Sequence, residues 1–189
     1  MLRGFSILLL AFTPLAAQTV VALDGYHNNE SKMPDHYQWD GTRPGGFSEL
    51  AKLLRQNGAD ELRTLRNRID TASLEGVKAL IVVDPDTPAE TVDPKYIEDS
   101  EIDAIAQWVS GGGRLVLLGN DKGNAEFEHL NRLAAEPVLV DHGINIMALT
   151  RYGKGLVFAA GDPWIYNEYI DHKDNRQIAT KLFRLLLSK

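Results

Sequence analysis

The stretch Gly112-Gly113-Arg114-Leu115-Val116-Leu117-Leu118-Gly119-Asn120-Asp121-Lys122-Gly123-Asn124 decides how this chain is read. Arg114 to Leu118 is a short apolar run bounded by glycines, the mark of a strand buried on both faces. Gly119 to Gly123 is a glycine-bracketed turn, and a helix is expected from Asn124 to about Ala135. Strand, tight turn and helix make the repeating unit of a parallel α/β sheet, whose ligands gather outside the carboxyl ends of the strands. Such a turn can carry a nucleophilic Ser or Cys at its tip. This one carries Asn120, Asp121 and Lys122 instead.

The same grammar extends in both directions. Thr19 to Leu23 reads as a first buried strand ending in Asp24-Gly25, followed by a long polar loop to about Gly46. Phe47 to Asn57 repeats Phe47, Leu50, Ala51 and Leu54 at helical spacing, with Gly58 as its stop. Glu61 to Leu65 is a short second strand. Val77 to Val83 is a strong buried strand that Pro85 and Pro88 terminate. Ser100 to Ser110 is a helix with a Ser100/Asp103 capping pattern and Ile102, Ile105, Ala106 and Val109 on one face. After Pro137 come three apolar runs: Val138–Val140, Ile144–Thr150 and Leu156–Ala160. Tyr152-Gly153-Lys154-Gly155 turns the last two into a hairpin. A closing helix should turn Ile178, Ala179, Leu182 and Leu185 inward. The fold class is therefore α/β, a mainly parallel sheet with helices on both faces and a late antiparallel hairpin.

The chain has 189 residues, no Cys and a formal charge of −6. That is one domain's worth of chain, with no disulfide, thiolate metal site or Cys nucleophile. An acidic chain without a basic cluster excludes nucleic acid as the expected partner. Residues 1–17 read as a signal peptide: Arg3, the apolar run Phe5–Phe12, and small residues to Ala17. Arg3 is its only charge, so the remainder, residues 18–189, carries −7. Export to the periplasm or the medium is expected, with no membrane span after removal of the leader.

Four strand ends carry acids or amides: Asp24, Asp84, Asn120 with Asp121, and Asp162. In a parallel sheet these ends share one edge. Neighbouring loops add Tyr26, His27, Asn28, Tyr37, Trp39, Trp164, Tyr166 and Tyr169. Carboxylates and amides for hydroxyls, with aromatic faces for a ring's C–H surface, suit a carbohydrate. The competing reading of each Asp is a helix cap or turn former. No metal site and no cofactor are expected, since no ligand spacing of a known kind occurs. Asp24, Asp121 and Asp162 are the candidates for carboxylate catalysis, in a glycosidase-like pair or as nucleophile.

The segments Asp24–Glu30, His36–Asp40, Val83–Thr87, Leu118–Phe127 and Gly161–Tyr169 together resemble a domain at the C-terminus of some bacterial unsaturated rhamnogalacturonyl hydrolases, glycoside hydrolase families 88 and 105. That domain is of the class I glutamine-amidotransferase-like, flavodoxin-related kind. The resemblance implies pectin or rhamnogalacturonan breakdown as the setting. It does not carry over the hydrolase activity, which belongs to a separate α/α-barrel. Nor does it carry over an amidotransferase triad, since the elbow falls near Asn120 or Asp121 and Cys is absent. The expected function is a non-catalytic accessory domain that binds an oligosaccharide or a partner glycoside hydrolase. The alternative is a small carboxylate-dependent hydrolase acting on a sugar or sugar derivative.

Overall fold

Five apolar runs, each too short for a helix and rich in Val, Leu or Ile, become strands. The three that read as buried strands lie in the middle of the sheet, with the second hairpin strand beside them. The computed structural model of the chain describes residues 18–28, 35–120, 125–134 and 147–188. The elements are β1 (Val20–Asp24), α1 (Ser48–Gln56), β2 (Glu61–Leu65), β3 (Val77–Val83), α2 (Asp99–Gly111), β4 (Arg114–Leu118), α3 (Phe127–Ala134), β5 (Met147–Tyr152), β6 (Gly155–Ala160) and α4 (Asn175–Leu187). The leader, Asp121 and the run Val138–Val140 lie outside the described residues.

The strands form one sheet in the order β2-β1-β3-β4-β6-β5. All pairs are parallel except β5 with β6. Setting aside the hairpin strand β5, this is the doubly wound, flavodoxin-like order. One face of the sheet packs on α1 and α4, through Leu50, Leu53, Leu54, Ala179, Phe183 and Leu186. The other packs on α2 and α3, through Ile105, Val109, Leu130 and Leu133. The chain leaves β1 toward β2 on one side and enters β3 on the other, so the winding reverses between β1 and β3.

Three helix expectations are corrected. In α2 the helix begins at Asp99, and the reciprocal cap lies two residues nearer the N-terminus, between Glu98 and Glu101: the Glu98 amide donates to the Glu101 carboxylate at 3.1 Å. In α4 the inward residues are Ala179, Phe183 and Leu186, whereas Ile178 and Leu185 are 44% and 45% exposed. Phe183 fills more of the layer between helix and sheet than either, so the helix turns it inward. The helix expected from Asn124 starts at Phe127, after Glu126 has donated its amide to the Pro85 carbonyl. Gly119 has a packing reason: a Cβ there would stand 2.8 Å from the Phe127 ring.

Candidate functional site

The reversal point between β1 and β3 is where an open α/β sheet offers a crevice. Here the chain fills it with its own residues. The Asp86 amide donates to the His27 carbonyl at 2.9 Å, and the Asn28 amide group donates to the Asp84 carbonyl at 3.0 Å. Asp24, His27 and Asn28 are all buried. The Asp24 carboxylate accepts the Tyr26 and His27 amides at 3.0 and 3.2 Å, a turn-forming role, and meets His27 Nδ1 at 2.7 Å. On its other side, His27 Nε2 stands 3.4 Å from Glu101. This is an ion-pair distance without hydrogen-bond geometry.

Glu101 gathers the far end of this network. It accepts the Ile69 amide and the Arg68 guanidinium, each at 2.8 Å. Arg68 in turn lies 5.6 Å above the Tyr26 ring, which is half-buried. Burial alone would lower the His27 pKa, but the Asp24 charge and hydrogen bond, helped by Glu101, raise it to about 9. Burial would raise Glu101, and the His27 contact and two backbone amides outweigh it and bring it to about 2. The result is a sealed imidazolium between two carboxylates. It clamps the β1 loop to α2 and to the segment after β2.

The second cluster sits one strand over. Asp84 follows β3 with φ +45°, a left-handed backbone that non-glycine residues rarely hold. Its amide donates to the Leu118 carbonyl at 2.9 Å, and its Oδ2 accepts the Asn120 amide group at 2.9 Å. Oδ1 is buried and completes no hydrogen bond among the described residues. Burial, reinforced by the charges of Glu90 and Asp86, pushes this carboxyl up to about 8 against the opposing Asn120 and Tyr37 hydrogen bonds. Asp84 is thus a neutral acid at pH 7, able to donate as well as accept. Among the described residues the end of β3 carries this strained backbone, on Asp84, while residues 121–124 of the turn after β4 lie outside them.

Around Asp84 stands an aromatic row. Ring centroids run His36–Tyr37 at 3.9 Å, Tyr37–Tyr166 at 6.0 Å, Tyr166–Tyr169 at 5.1 Å and Tyr169–His172 at 5.0 Å. Burial and the neighbouring Asp84, Tyr166 and Asp162 push the Tyr37 phenol up, so it remains a hydroxyl donor. Asp162, Asn120 and Tyr166 are half-buried and Tyr169 is exposed, so this row reaches solvent on the carboxyl edge. Trp164 is 7% exposed, and its buried Nε1 has no hydrogen-bond partner among the described residues.

The sequence-predicted residues therefore divide. Asp24, His27 and Asn28 are drawn inside, Tyr26 lies over the clamp, and Asp84, Asn120, Asp162, Trp164 and Tyr166 ring the ends of β3, β4 and β6. Asp121 lies outside the described residues. Among the described residues no three His, Asp or Glu side chains are placed so as to hold a metal ion.

Three functional side chains escaped the sequence reading. Glu101 shares the buried stripe of α2 with Ile105 and Val109, and an acid in an apolar i, i+4, i+8 stripe is a readable signal. Arg68, its partner, leaves none. Asn167 joins two loops: its amide group donates to the Gly41 and Arg43 carbonyls at 2.9 and 3.0 Å and to Ser48 Oγ at 3.0 Å. Its Oδ1 accepts the Glu49 amide at 2.9 Å.

No family model matches the chain, and no curated protein sequence matches it. Among solved structures the chain is similar to the mmIFT52 N-terminal domain, with a TM-score of 0.67 at 15% identity over 90% of this chain and 98% of that one. It is also similar to the cytoplasmic protein STM1381 from Salmonella typhimurium LT2, with a TM-score of 0.55 at 14% identity over 90% of this chain and 100% of that one. At these identities the likeness is one of fold.

Proposed function

We propose that this chain is a non-catalytic binding module that holds a carbohydrate at the carboxyl edge of its sheet. Its setting would be that of an exported accessory to pectin or rhamnogalacturonan breakdown. The aromatic row from His36 to His172, beside Asn120 and Asp162, carries this reading. Tyr166 and Tyr169 offer ring faces and edges for the C–H surface of a sugar. Asp162 and Asn120 offer acceptors and a donor for its hydroxyls. The resemblance of the segments around these residues to the rhamnogalacturonyl hydrolase domain supports the setting. Titration calorimetry with rhamnogalacturonan fragments tests it: Tyr166→Ala and Asp162→Ala should each weaken binding about tenfold. The reading falls if no fragment binds the unaltered protein.

One observation favours a second reading, a carboxylate-dependent hydrolase. Asp84 combines a strained backbone with a carboxyl held protonated to about pH 8, the state a general acid needs. Its 2% exposure argues for the binding module, because a proton donor must reach its substrate. Product release from the same fragments, lost in Asp84→Asn, would favour the hydrolase.

A further inference from the structure

The amino ends of the central strands carry cations that lack a counterion. Ala79 pairs with Arg114, so Lys78 and Arg114 stand at the amino ends of the neighbouring strands β3 and β4, across the sheet from the aromatic row. Both are half-buried. Among the described residues the Lys78 ammonium has no hydrogen bond, and neither cation has an ion pair. Asp60, just before β2, is turned instead to the Thr19 amide at 2.7 Å. Arg114 is anchored through one nitrogen: Nη1 donates to the Gly112 carbonyl at 2.6 Å and to the Lys154 carbonyl at 3.3 Å. Its Nε is buried and has no hydrogen-bond partner among the described residues.

On a chain of formal charge −6, acids are not scarce, so an unpaired pair of half-buried cations is an anomaly. Burial, and then the charge of Arg114, pull the Lys78 pKa below its usual value. Two such cations cost stability as long as no anion lies between them. The chain itself shows what the vacant side of Arg114 takes. At Arg43 and at Arg176, Nε and Nη2 together grip one carboxylate, that of Asp35 and of Asp171. Arg114 has spent Nη1 on backbone carbonyls, and the same Nε/Nη2 fork is the side left over.

We propose that Lys78 and Arg114 bind a carboxylate-bearing ligand at the amino edge of the sheet, with the carboxylate on the Nε/Nη2 fork of Arg114 and the Lys78 ammonium beside it. The carboxylate supplies the acceptor that the buried Nε lacks and the negative charge that two cations need. Anchoring of Nη1 fixes the guanidinium plane in advance, so binding orders little that is not already ordered. Lys154, in the turn that accepts from Arg114, adds an exposed cation to the same rim. A small organic acid and the acid group of a uronate sugar share this chemistry. Only the second rests on the polysaccharide setting proposed above.

The test is a titration of the full chain with acetate and, separately, with galacturonate. Chloride balances the ionic strength, and the Arg114 Nε–H resonance is followed by nuclear magnetic resonance. The resonance should move saturably with acetate, with a Kd of about 1–10 mM, and should ignore chloride. Tighter binding of galacturonate would name the uronate as the source, and equal binding the carboxylate alone. Lys78→Met keeps the aliphatic stem and removes the charge. It should weaken acetate at least about tenfold with an unchanged circular dichroism spectrum, and raise the urea midpoint of the ligand-free protein. The proposal is overturned by a resonance that stays still or follows chloride equally, or by acetate binding indifferent to Lys78→Met. A midpoint that falls in Lys78→Met would also overturn it, since the ammonium would then already have its counterion within the fold. The acetate titration stands whether or not the carboxyl edge holds a sugar, so failure here and failure there are read separately.

Discussion

His27 holds the largest concentration of buried charge in the described residues, and its energetics set the protein's response to pH. Its pKa is raised from 6.5 to about 9, so its contribution to stability is complete below about pH 6.5 and is lost as pH rises through about 9. Asp84 is raised from 3.8 to about 8, so it too makes stability fall with rising pH, over the window between those values. Glu101 runs the other way: lowered from 4.5 to about 2, it contributes above about pH 4.5 and is lost as pH falls through about 2. Urea unfolding should therefore give a midpoint that is highest near pH 4 and declines toward pH 9. Asp84→Asn, which tolerates the left-handed backbone, should flatten the decline between about pH 4 and pH 8 and stabilise the protein by at least about 1 kcal/mol at pH 8. A midpoint that still falls equally in that variant would show Asp84 to be ionised in the fold. Breaking the clamp with His27→Ala leaves two carboxylates buried and should destabilise by about 3–5 kcal/mol.

At the scale of the element, the rotation of α4 is the instructive case. Six large apolar residues, Ile178, Leu182, Phe183, Leu185, Leu186 and Leu187, occupy 10 positions, so helical periodicity alone allows more than one inward face. The choice follows from packing: Phe183 fills the layer over the sheet, and in that rotation Arg176 reaches Glu49 and Arg184 reaches Asn57 beside α1. Phe183→Ala should cost about 3–5 kcal/mol by chemical denaturation, whereas Ile178→Ala should cost less than about 1 kcal/mol. The reverse order would mean that the periodic face was inward after all. In α2, by contrast, the stripe was legible, and the one departure from apolar character in it, Glu101, turned out to be the clamp's second carboxylate.

At the scale of the molecule, the carboxyl edge is assembled from loops that the sequence keeps far apart. Asn167 ties the segment after β6 to residues 41–49 through four hydrogen bonds, with partners 118 to 126 positions away. Asn167→Ala should cost about 2–4 kcal/mol and speed amide exchange at Ser48 and Glu49. It should also weaken carbohydrate binding, because the aromatic row is held between these two loops. Exchange unchanged at those amides would show that the loops are held by their packing alone.

The apolar strands of the described residues, the mainly parallel class with its late hairpin, and the shared edge of Asp24, Asp84, Asn120 and Asp162 were legible in the sequence, because apolar runs and their terminators are local and one edge follows from parallel pairing; the strand order was not. Which of those polar groups stay outside was not local. His27 and Asn28 look like solvated loop residues until β3 supplies Asp84 and Asp86, and α2 supplies Glu101, to receive them. Only tertiary structure decided that the reversal crevice is filled by its own chain, that Asp84 holds a left-handed backbone, and that α4 faces the sheet with Phe183. Each depends on desolvation and on hydrogen bonds between residues tens of positions apart, and no spacing along the chain encodes such contacts.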